Sequence, residues 1–298
     1  MTPQAQSILD SWSAPFWVDA SLAVAAFLYA IGWLRLRRVF PSLISHWRLA
    51  AFLAGIFSLW IAIGSPLEAF DDVSLSVHMV QHLLLMAVAP PLVLLGAPTL
   101  PLLRGLPRAF RRPAGRLLCS APAQWLGGIL TNPAVCWIAA SVALIAWHVP
   151  AAFELALRSE SWHKFEHVCF FATSLMFWWP VIQPFPSVER WPRWSMPLYL
   201  FLGTLPGGAL GAFLTFCDRV LYPSYGSAPM IVYQSALDDQ IFAGALMWAF
   251  TTFVYAAPAV LLTVCLLSEE STQLRADSEN HARKRAASPY QDSRAEIV

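Results

Sequence analysis

Charged residues are scarce in this chain of 298 residues: Asp, Glu, Lys and Arg make up 12% of it, whereas hydrophobic residues make up 57%. Soluble domains carry about 25% charged residues, and a soluble domain of this composition would expose large apolar patches to water. Several apolar runs of about 20 residues, long enough to cross a bilayer, are present instead. The sequence therefore predicts an all-α, polytopic membrane protein embedded in the lipid bilayer.

Other absences exclude further classes of protein. The chain has no basic strip interleaved with aromatic residues and no phosphate-binding glycine loop, so we expect no nucleic-acid partner. The five cysteines are scattered and form no C-x-x-C pair, which indicates neither a disulfide framework nor a thiolate metal site. No basic region precedes the first apolar run, so we do not expect a cleaved signal peptide.

The apolar runs predict a bundle of seven transmembrane helices. In chain order the predicted spans are 16–34, 49–64, 76–97, 133–149, 162–182, 197–217 and 239–267, the third being broken at Pro90-Pro91 and Pro98. They form a domain at 16–267, preceded by an extracytoplasmic segment at 1–15. Residues 268–298 form a polar tail without apolar periodicity, which we expect to be largely disordered.

The basic residues predict how the chain is oriented in the membrane. Sixteen of the 19 Lys and Arg residues follow the first, third and fifth spans or lie in the tail. Only Arg158, Lys164 and Arg219 are left for the other side. Because cytoplasmic loops carry the excess of positive charge, the N-terminus is predicted outside and the C-terminus in the cytoplasm.

Five of the seven histidines fall in one layer on the predicted outer side. His78 and His82 begin the third span at positions i and i+4, which lie on one face of a helix. His163 and His167 repeat this spacing in the fifth span, and His148 ends the fourth. A lone histidine near a membrane interface is usually solvated, but polar groups inside a span are costly without compensation. Two pairs and a fifth histidine in one layer therefore predict a metal site.

Several metals and several activities fit such a group. Imidazole suits Cu, Zn, Fe and Ni, while thioether sulfur favours Cu(I). Methionine in an apolar helix is ordinarily core filler. Haem ligation, a proton relay and a hydrolytic zinc centre also stay open. The candidate further ligands, or partners that orient the histidines, are Met79, Gln81, Met86, Glu166, Asp238, Asp239, Gln240 and Met247.

Two other stretches have a structural and a functional interpretation. The sixth span contains Pro206, Gly207, Gly208 and Gly211, which predict a helix kink where a neighbouring helix approaches closely. The alternative is a broken helix that lines a transport path. The acidic loop of Glu68, Asp71 and Asp72 is expected to be a solvated surface, or else to attract a cation toward the histidines.

The chain resembles a known family at these residues. The matching segments are HMVQHLLLMAVAPPLVLLGAP (78–98), WHVP (147–150), HKFEHVCFFATSLMFWWPV (163–181), LPGGALGAFLTFCDRVLYPSY (205–225) and DDQIFAGALMW (238–248). They resemble the membrane cytochrome c oxidase assembly factors of the caa3 type, called CtaG, over roughly residues 15 to 267. Cys217-Asp218 stands where relatives more often have Ser-Asp. The family's motif positions fall here on His78, His82, His148, His163, His167, Asp239 and Gln240.

The resemblance implies an assembly factor that handles copper for the copper-containing haem oxidases. We therefore expect a non-enzymatic protein of the bacterial inner membrane, with no catalytic residue, that binds copper near the outer face. The expected metal ligands are His78, His82, His148, His163, His167 and Asp239. The expected partners are cytochrome c oxidase subunits or a periplasmic copper carrier. Zinc is the alternative metal, in an intramembrane hydrolase, and a copper transporter is a further alternative function.

Overall fold

The computed structural model describes residues 16–41, 44–184, 191–226 and 235–287. These residues form helices and connecting loops, and no strand occurs among them. The predicted segment 1–15 and the tail beyond 287 lie outside the described residues. The helices are α1 (Phe16–Arg37), α2 (His46–Ile63), α3 (Leu75–Leu83), α4 (Ala89–Leu95), α5 (Thr99–Gly105), α6 (Arg108–Leu118), α7 (Ala121–Leu130), α8 (Pro133–His148), α9 (Pro150–Arg158), α10 (Glu160–Ile182), α11 (Met196–Phe216), α12 (Pro223–Gly226) and α13 (Ala236–Ala287).

Six helical stretches of the described chain are long and apolar enough to cross a membrane. They are Phe16–Arg37, His46–Phe70, Leu75–Leu95, Glu160–Ile182, Arg193–Phe216 and Ala236–Gln273. α7 and α8 make a seventh if this pair, bent by 64°, counts as one span. α8 alone, which is the predicted fourth span, has 16 residues and is about 24 Å long, short of a hydrocarbon core of about 30 Å. The all-α membrane fold is thus confirmed, with six or seven spans.

The third span is continuous where a break was predicted at Pro90-Pro91. α3 runs into a π-helical turn, Leu84–Val88, and this turn runs into α4. A proline ring clashes with the carbonyl four residues earlier and offers no N–H to it. A π-helical turn just before the prolines absorbs this mismatch within the helix. The span ends at Leu95, and Pro98 lies beyond it.

The sixth span is likewise a single helix. α11 continues through Pro206 and the glycines that follow, so the broken helix of the transporter alternative is not there. Gly211 lies where α11 meets α13: a Cβ on Gly211 would stand 2.8 Å from the Gly244 carbonyl oxygen, and the converse distance is 2.7 Å. The two helices therefore cross backbone to backbone, as small residues permit in membranes.

The tail requires a correction over its first part. α13 has 52 residues and continues to Ala287, so residues 268–287, predicted to be largely disordered, are helical. The reason is local, since Glu, Gln, Leu, Arg, Lys and Ala dominate this segment and are good helix formers. Extending an existing helix also avoids the cost of nucleating a new one.

The spans that carry the histidines are neighbours. α10 packs against α8 and α4, and α3 packs against α13. α9 packs against both α8 and α10. One end of the bundle, where α3 and α10 begin and α8 ends, therefore collects side chains from four spans, and we call it the histidine end.

Candidate metal centre

The five predicted histidines lie side by side at the histidine end. The ring centroids of His78 and His82 are 4.3 Å apart, as are those of His163 and His167. The rings of His78 and His163 stack across the two helices at 5.2 Å. His82 has the rings of His148 and His167 each at 5.8 Å. Three helices thus bring five imidazoles into one contiguous cluster, which we call the histidine cluster.

The helical repeat and two local signals place these side chains. The i, i+4 spacing puts each pair on one helix face. α8 ends at His148 because Val149 precedes Pro150 and adopts an extended conformation. His148 Nδ1 lies 2.8 Å from the carbonyl oxygen of Leu144, which only accepts, so Nδ1 carries the proton. Its Nε2 is then left with a free lone pair, the usual state of a metal-binding histidine.

Two carboxylates adjoin the histidine cluster, each beside a different histidine. Glu166 Oε1 lies 3.6 Å from His82 Nε2. Asp71 Oδ2 lies 3.7 Å from His163 Nε2. Glu166 was a predicted partner of the histidines, whereas Asp71 was expected in a solvated loop and is 2% exposed. The sequence feature that could have indicated this burial is the position of Asp71 directly ahead of the third span. A short 3-10 turn, Pro66–Phe70, directs the loop back over the cluster.

Burial of Asp71 affects its protonation. Burial raises the pKa of the Asp71 carboxyl to about 8, and the neighbouring Asp72 and Glu68 carboxylates add to the increase. Burial therefore favours the protonated carboxyl in the absence of a cation. A cation that binds Asp71 displaces this proton, as metal ions do when their ligands must be deprotonated.

The cluster is buried and poorly satisfied by the protein itself. His78 and Glu166 are 0% exposed and His82 is 2% exposed. Ten nitrogen and oxygen atoms of seven side chains have no hydrogen-bond partner within the described part of the chain. They belong to Asp71, His78, His82, His148, His163, Glu166 and His167. Because the great majority of buried polar atoms in proteins are paired, this group of unpaired atoms marks the cluster as a candidate binding site.

Aromatic side chains pack against the cluster. Phe153 of α9 has its ring 4.9 Å from His78, and Phe170 of α10 has its ring 4.6 Å from His82. Tyr222 stacks on Phe153 at 4.0 Å and donates a hydrogen bond to the His148 carbonyl oxygen. Among the five histidines, His163 has the most exposed side chain, which is 15% exposed. An ion would therefore enter past His163.

Asp239, predicted as a ligand, makes hydrogen bonds to the start of α3 in the structure. Its carboxylate accepts hydrogen bonds from the backbone N–H groups of Leu75 and Ser76, at 2.7 and 3.0 Å, and from the hydroxyls of Ser74 and Ser76. A carboxylate that accepts from the first N–H groups of a helix caps it. Asp239 therefore holds the N-terminus of α3, and with it His78, in place from α13.

The other polar residues predicted near the cluster also act as structural links. Asp238 accepts from the Ser235 hydroxyl at 2.7 Å in the first turn of α13. Gln240 accepts from Leu221 N–H and donates to the Arg219 carbonyl oxygen, which fixes the loop after α11. Gln81 donates to the Ala62 carbonyl oxygen of α2 at 2.9 Å. Gln240 and Gln81 thus connect separate elements around the cluster, whereas the Asp238 bond stays within the start of α13.

The methionines belong to the apolar core beside the cluster. Met79, Met86 and Met247 are buried in one hydrophobic cluster with Phe153 and Phe170. Those two aromatic rings also touch the histidines, so the thioethers lie in the layer next to the imidazoles. Pro206, Gly207, Gly208 and Gly211 stand in α11 and pack toward α13: Gly207 faces Thr251, and Gly208 and Gly211 face Trp248.

Chemically, the cluster offers imidazole nitrogens and carboxylate oxygens. Two sets have their ligand atoms all within 4.8 Å of one another: Asp71, His78 and His163, and His78, His82 and Glu166. Imidazole with carboxylate suits Cu(II), Zn or Fe better than Ca or Mg. The unpaired atoms and the donor set both fit a transition-metal ion.

A polytopic, all-helical membrane protein with a buried histidine and carboxylate cluster is the class that this fold and this site define. Residues 27–269 match the family described as cytochrome c oxidase caa3 assembly factor (Caa3_CtaG), so the chain belongs to that family. The resemblance seen in the sequence is thereby confirmed.

The names of the curated relatives give no activity. The chain is similar to uncharacterized proteins of Mycobacterium bovis and Mycobacterium tuberculosis, each 26% identical over 314 residues that cover 99% of this chain and 44% of the relative. An uncharacterized protein of Mycobacterium leprae is 24% identical over 282 residues, covering 88% of this chain and 40% of the relative. The chain thus spans less than half the length of these relatives. No solved structure matches it.

Proposed function

We propose that this chain binds copper in the histidine cluster and supplies it to cytochrome c oxidase while that enzyme is assembled. The observation that supports the proposal best is the set of ten buried, unpartnered atoms on seven side chains. Leaving a buried polar group unpaired costs about 1–3 kcal/mol. Coordination of a metal ion satisfies imidazole nitrogens and carboxylate oxygens together. The protein is then a carrier of its cargo and not an enzyme.

Both the family and the ligands of the site support copper as the metal. The family assembles cytochrome c oxidase of the caa3 type, which is a copper-containing haem oxidase. Imidazole binds both oxidation states of copper, and the methionines of the adjoining core offer thioethers to Cu(I). A carrier must hold its ion firmly enough to select it and loosely enough to release it, which a mixed set of ligands with an open side at His163 allows.

The proposed location is the inner membrane of a bacterium, with the histidine end facing outward. The excess of Lys and Arg on the opposite side supports this orientation. With α7 and α8 together as the fourth crossing, seven crossings place the N-terminus outside and the C-terminus in the cytoplasm. Oxidase subunits or a periplasmic copper carrier would then reach the cluster from the outer side.

Metal analysis of the purified protein tests this function. The wild type and the variants His82→Ala, His167→Ala and His46→Ala are extracted in mild detergent, and bound copper and zinc are measured by mass spectrometry. We expect copper in the wild type and in His46→Ala, since exposed His46 lies outside the cluster, and its loss from the other two. Absence of metal from wild type loaded with copper contradicts the proposal.

Deletion and complementation of the gene in cells form the second part of the test. Deletion of the gene should lower cytochrome c oxidase activity, and the wild-type gene should restore it while His82→Ala should not. If deletion instead changes cellular copper and leaves oxidase activity intact in copper-supplemented medium, transport is the function. The continuous α11 offers no broken helix for such a route.

A zinc-dependent hydrolase is the second candidate, and one observation favours it. His78, His82 and Glu166 form a compact set, and two histidines with one glutamate are a known ligand set of catalytic zinc. Stoichiometric zinc in the wild type, retained when copper is offered in excess, would select this candidate over the copper carrier.

A further inference from the structure

We propose that the histidine cluster holds two metal ions side by side, with His78 as the ligand that both ions share. This inference deepens the metal-binding function proposed above and depends on it. It rests on the juxtaposition of two ligand sets that have only His78 in common: Asp71, His78 and His163 toward the entrance, and His78, His82 and Glu166 in the interior.

Each set has the dimensions of a metal site by itself. Within each set the ligand atoms lie within 4.8 Å of one another. Ligands about 2.1 Å from a tetrahedral ion are about 3.4 Å apart, so small rotations of the side chains close either set around an ion. The sets extend from His78 in different directions, one to Asp71 in the loop ahead of α3 and the other to Glu166 in α10. The two sets do not form one group within the same 4.8 Å limit, whereas opposite ligands of an ion bound at about 2.1 Å are about 4.2 Å apart, so one ion does not hold all five residues as they stand.

The number of unpartnered atoms also exceeds what one ion can satisfy. Ten atoms of the cluster are buried without a hydrogen bond in the described chain, whereas a transition-metal ion in an N,O site takes four to six ligands. Two ions account for all of them except one nitrogen of His82, because a neutral imidazole binds an ion through one nitrogen only. His148 and His167 then complete the inner set, since each has its ring 5.8 Å from that of His82 and an unpartnered Nε2.

His78 differs from His148 in a way that indicates sharing. A metal-binding histidine normally donates its second N–H to a carbonyl or carboxylate, as His148 Nδ1 does to Leu144. His78 and His82 are both buried, and both nitrogens of each lack such a partner among the described residues. Of these two histidines, only His78 belongs to both ligand sets. An imidazole can bind one ion through each nitrogen, and it releases its N–H proton to solvent when the second ion binds. His78 is a member of both sets, and sharing it between two ions requires each of its nitrogens to bind one ion.

The charges of the site match two ions as well. Two cations in one buried site repel each other, and each needs a negative group of its own. Asp71 supplies one to the outer set and Glu166 one to the inner set. The imidazolate of His78 lies between the ions and adds a third negative charge, so a pair of copper ions in this site is largely neutralised.

Copper titration with paramagnetic resonance tests the inference on the full chain in detergent. The protein is loaded with Cu(II), excess is removed, and copper per chain is measured together with the resonance spectrum. We expect two coppers per chain and a signal broadened by spin coupling between them. Asp71→Asn and Glu166→Gln should each hold about one copper and give the sharp spectrum of an isolated ion. Glu154→Gln is the matched control, because Glu154 is already bonded to Ser224 and Arg158.

The outcomes separate this inference from the function on which it rests. One copper per chain with an uncoupled spectrum overturns the two-ion site and leaves the copper carrier standing. Two coppers without spin coupling overturn the shared ligand. No copper at all overturns both proposals. Should either variant fail to fold, the stoichiometry and the spectrum of the wild type still decide, since they need no substitution.

Discussion

The indole Nε1 of Trp178 donates a hydrogen bond to the carbonyl oxygen of Met86, at 3.2 Å, across two spans of the bundle. That carbonyl would ordinarily pair with the N–H four or five residues later, and both positions are prolines, Pro90 and Pro91. The indole of α10 thus replaces a donor that the third span cannot supply. It also fixes the third span against α10, the two helices that carry four of the five clustered histidines.

Replacing Trp178 by Phe should therefore destabilise the protein. The ring is kept, but a buried carbonyl is left unpaired, at a cost of about 1–3 kcal/mol. We expect a lower melting temperature in detergent, measured by fluorescence-detected unfolding. Trp179→Phe is the control at the next position, where the side chain is half-buried. An equal loss in the two variants would show that the indole bond to Met86 contributes nothing.

Substitution of Asp239 distinguishes a helix cap from a metal ligand. The Leu75 and Ser76 N–H groups donate to different oxygens of Asp239, so Asn keeps one of the two acceptors whereas Ala removes both. As a cap, Asp239→Asn should retain copper, and Asp239→Ala should lose about 0.5–2 kcal/mol of stability and with it the geometry at His78. Copper content and melting temperature are measured together, with Asp238→Ala as the exposed control. Loss of copper from a stable Asp239→Asn protein would restore the ligand role that the sequence predicted.

The contact between α11 and α13 should tolerate no side chain at Gly211. A Cβ there would lie 2.8 Å from both the Gly244 carbonyl oxygen and the Trp248 nitrogen, and overpacking of this kind costs about 1–3 kcal/mol. Gly211→Ala should lower the melting temperature. In the exposed helix α6, Gly115→Ala meets no atom within 4 Å and should be neutral or stabilising by up to about 1 kcal/mol. A neutral Gly211→Ala would mean that the two helices are farther apart.

Cysteine labelling tests the orientation of the chain. Cys119 is exposed in the basic segment between the third and fourth spans, and Asp72 is exposed at the histidine end. In a background without other cysteines, a membrane-impermeant maleimide applied to spheroplasts should label Asp72→Cys. It should reach Cys119 only after the membrane is permeabilised. The reverse pattern would place the histidine end on the cytoplasmic side and contradict the proposed delivery of copper at the outer face.

The positions of the spans and the shared layer of the histidines could be predicted because both depend on periodicity along the chain. Apolar length predicts a span, and the i, i+4 spacing predicts a common helix face whatever the neighbours are. The predicted clustering of His78, His82, His148, His163 and His167 agrees with the geometry, while their binding of metal stays a prediction. So does the orientation, which depends on the distribution of charge.

Asp71 and Asp239 show the limit of what could be predicted from the sequence. Both are acids near the start of a span, and their sequence context gives no reason to bury one beside His163 and to aim the other at the amides of a different helix. That difference arises from tertiary packing, from the 3-10 turn that redirects the loop and from the contact of α13 with α3. The π-helical turn before Pro90 escaped prediction for the same reason, since its donor comes from Trp178 in another span.

The cap of α3 by Asp239 also sets a sequence of events during synthesis. Asp239 follows its partner Leu75 by 164 residues, so the ribosome has completed and released five other membrane segments before this carboxylate exists. Until then the first N–H groups of the third span lack the Asp239 carboxylate as their acceptor, and His78 is not held in place by this cap. The cap of α3 is complete only after the last helix has been made, so the final geometry at His78 is a late event in the synthesis of the chain.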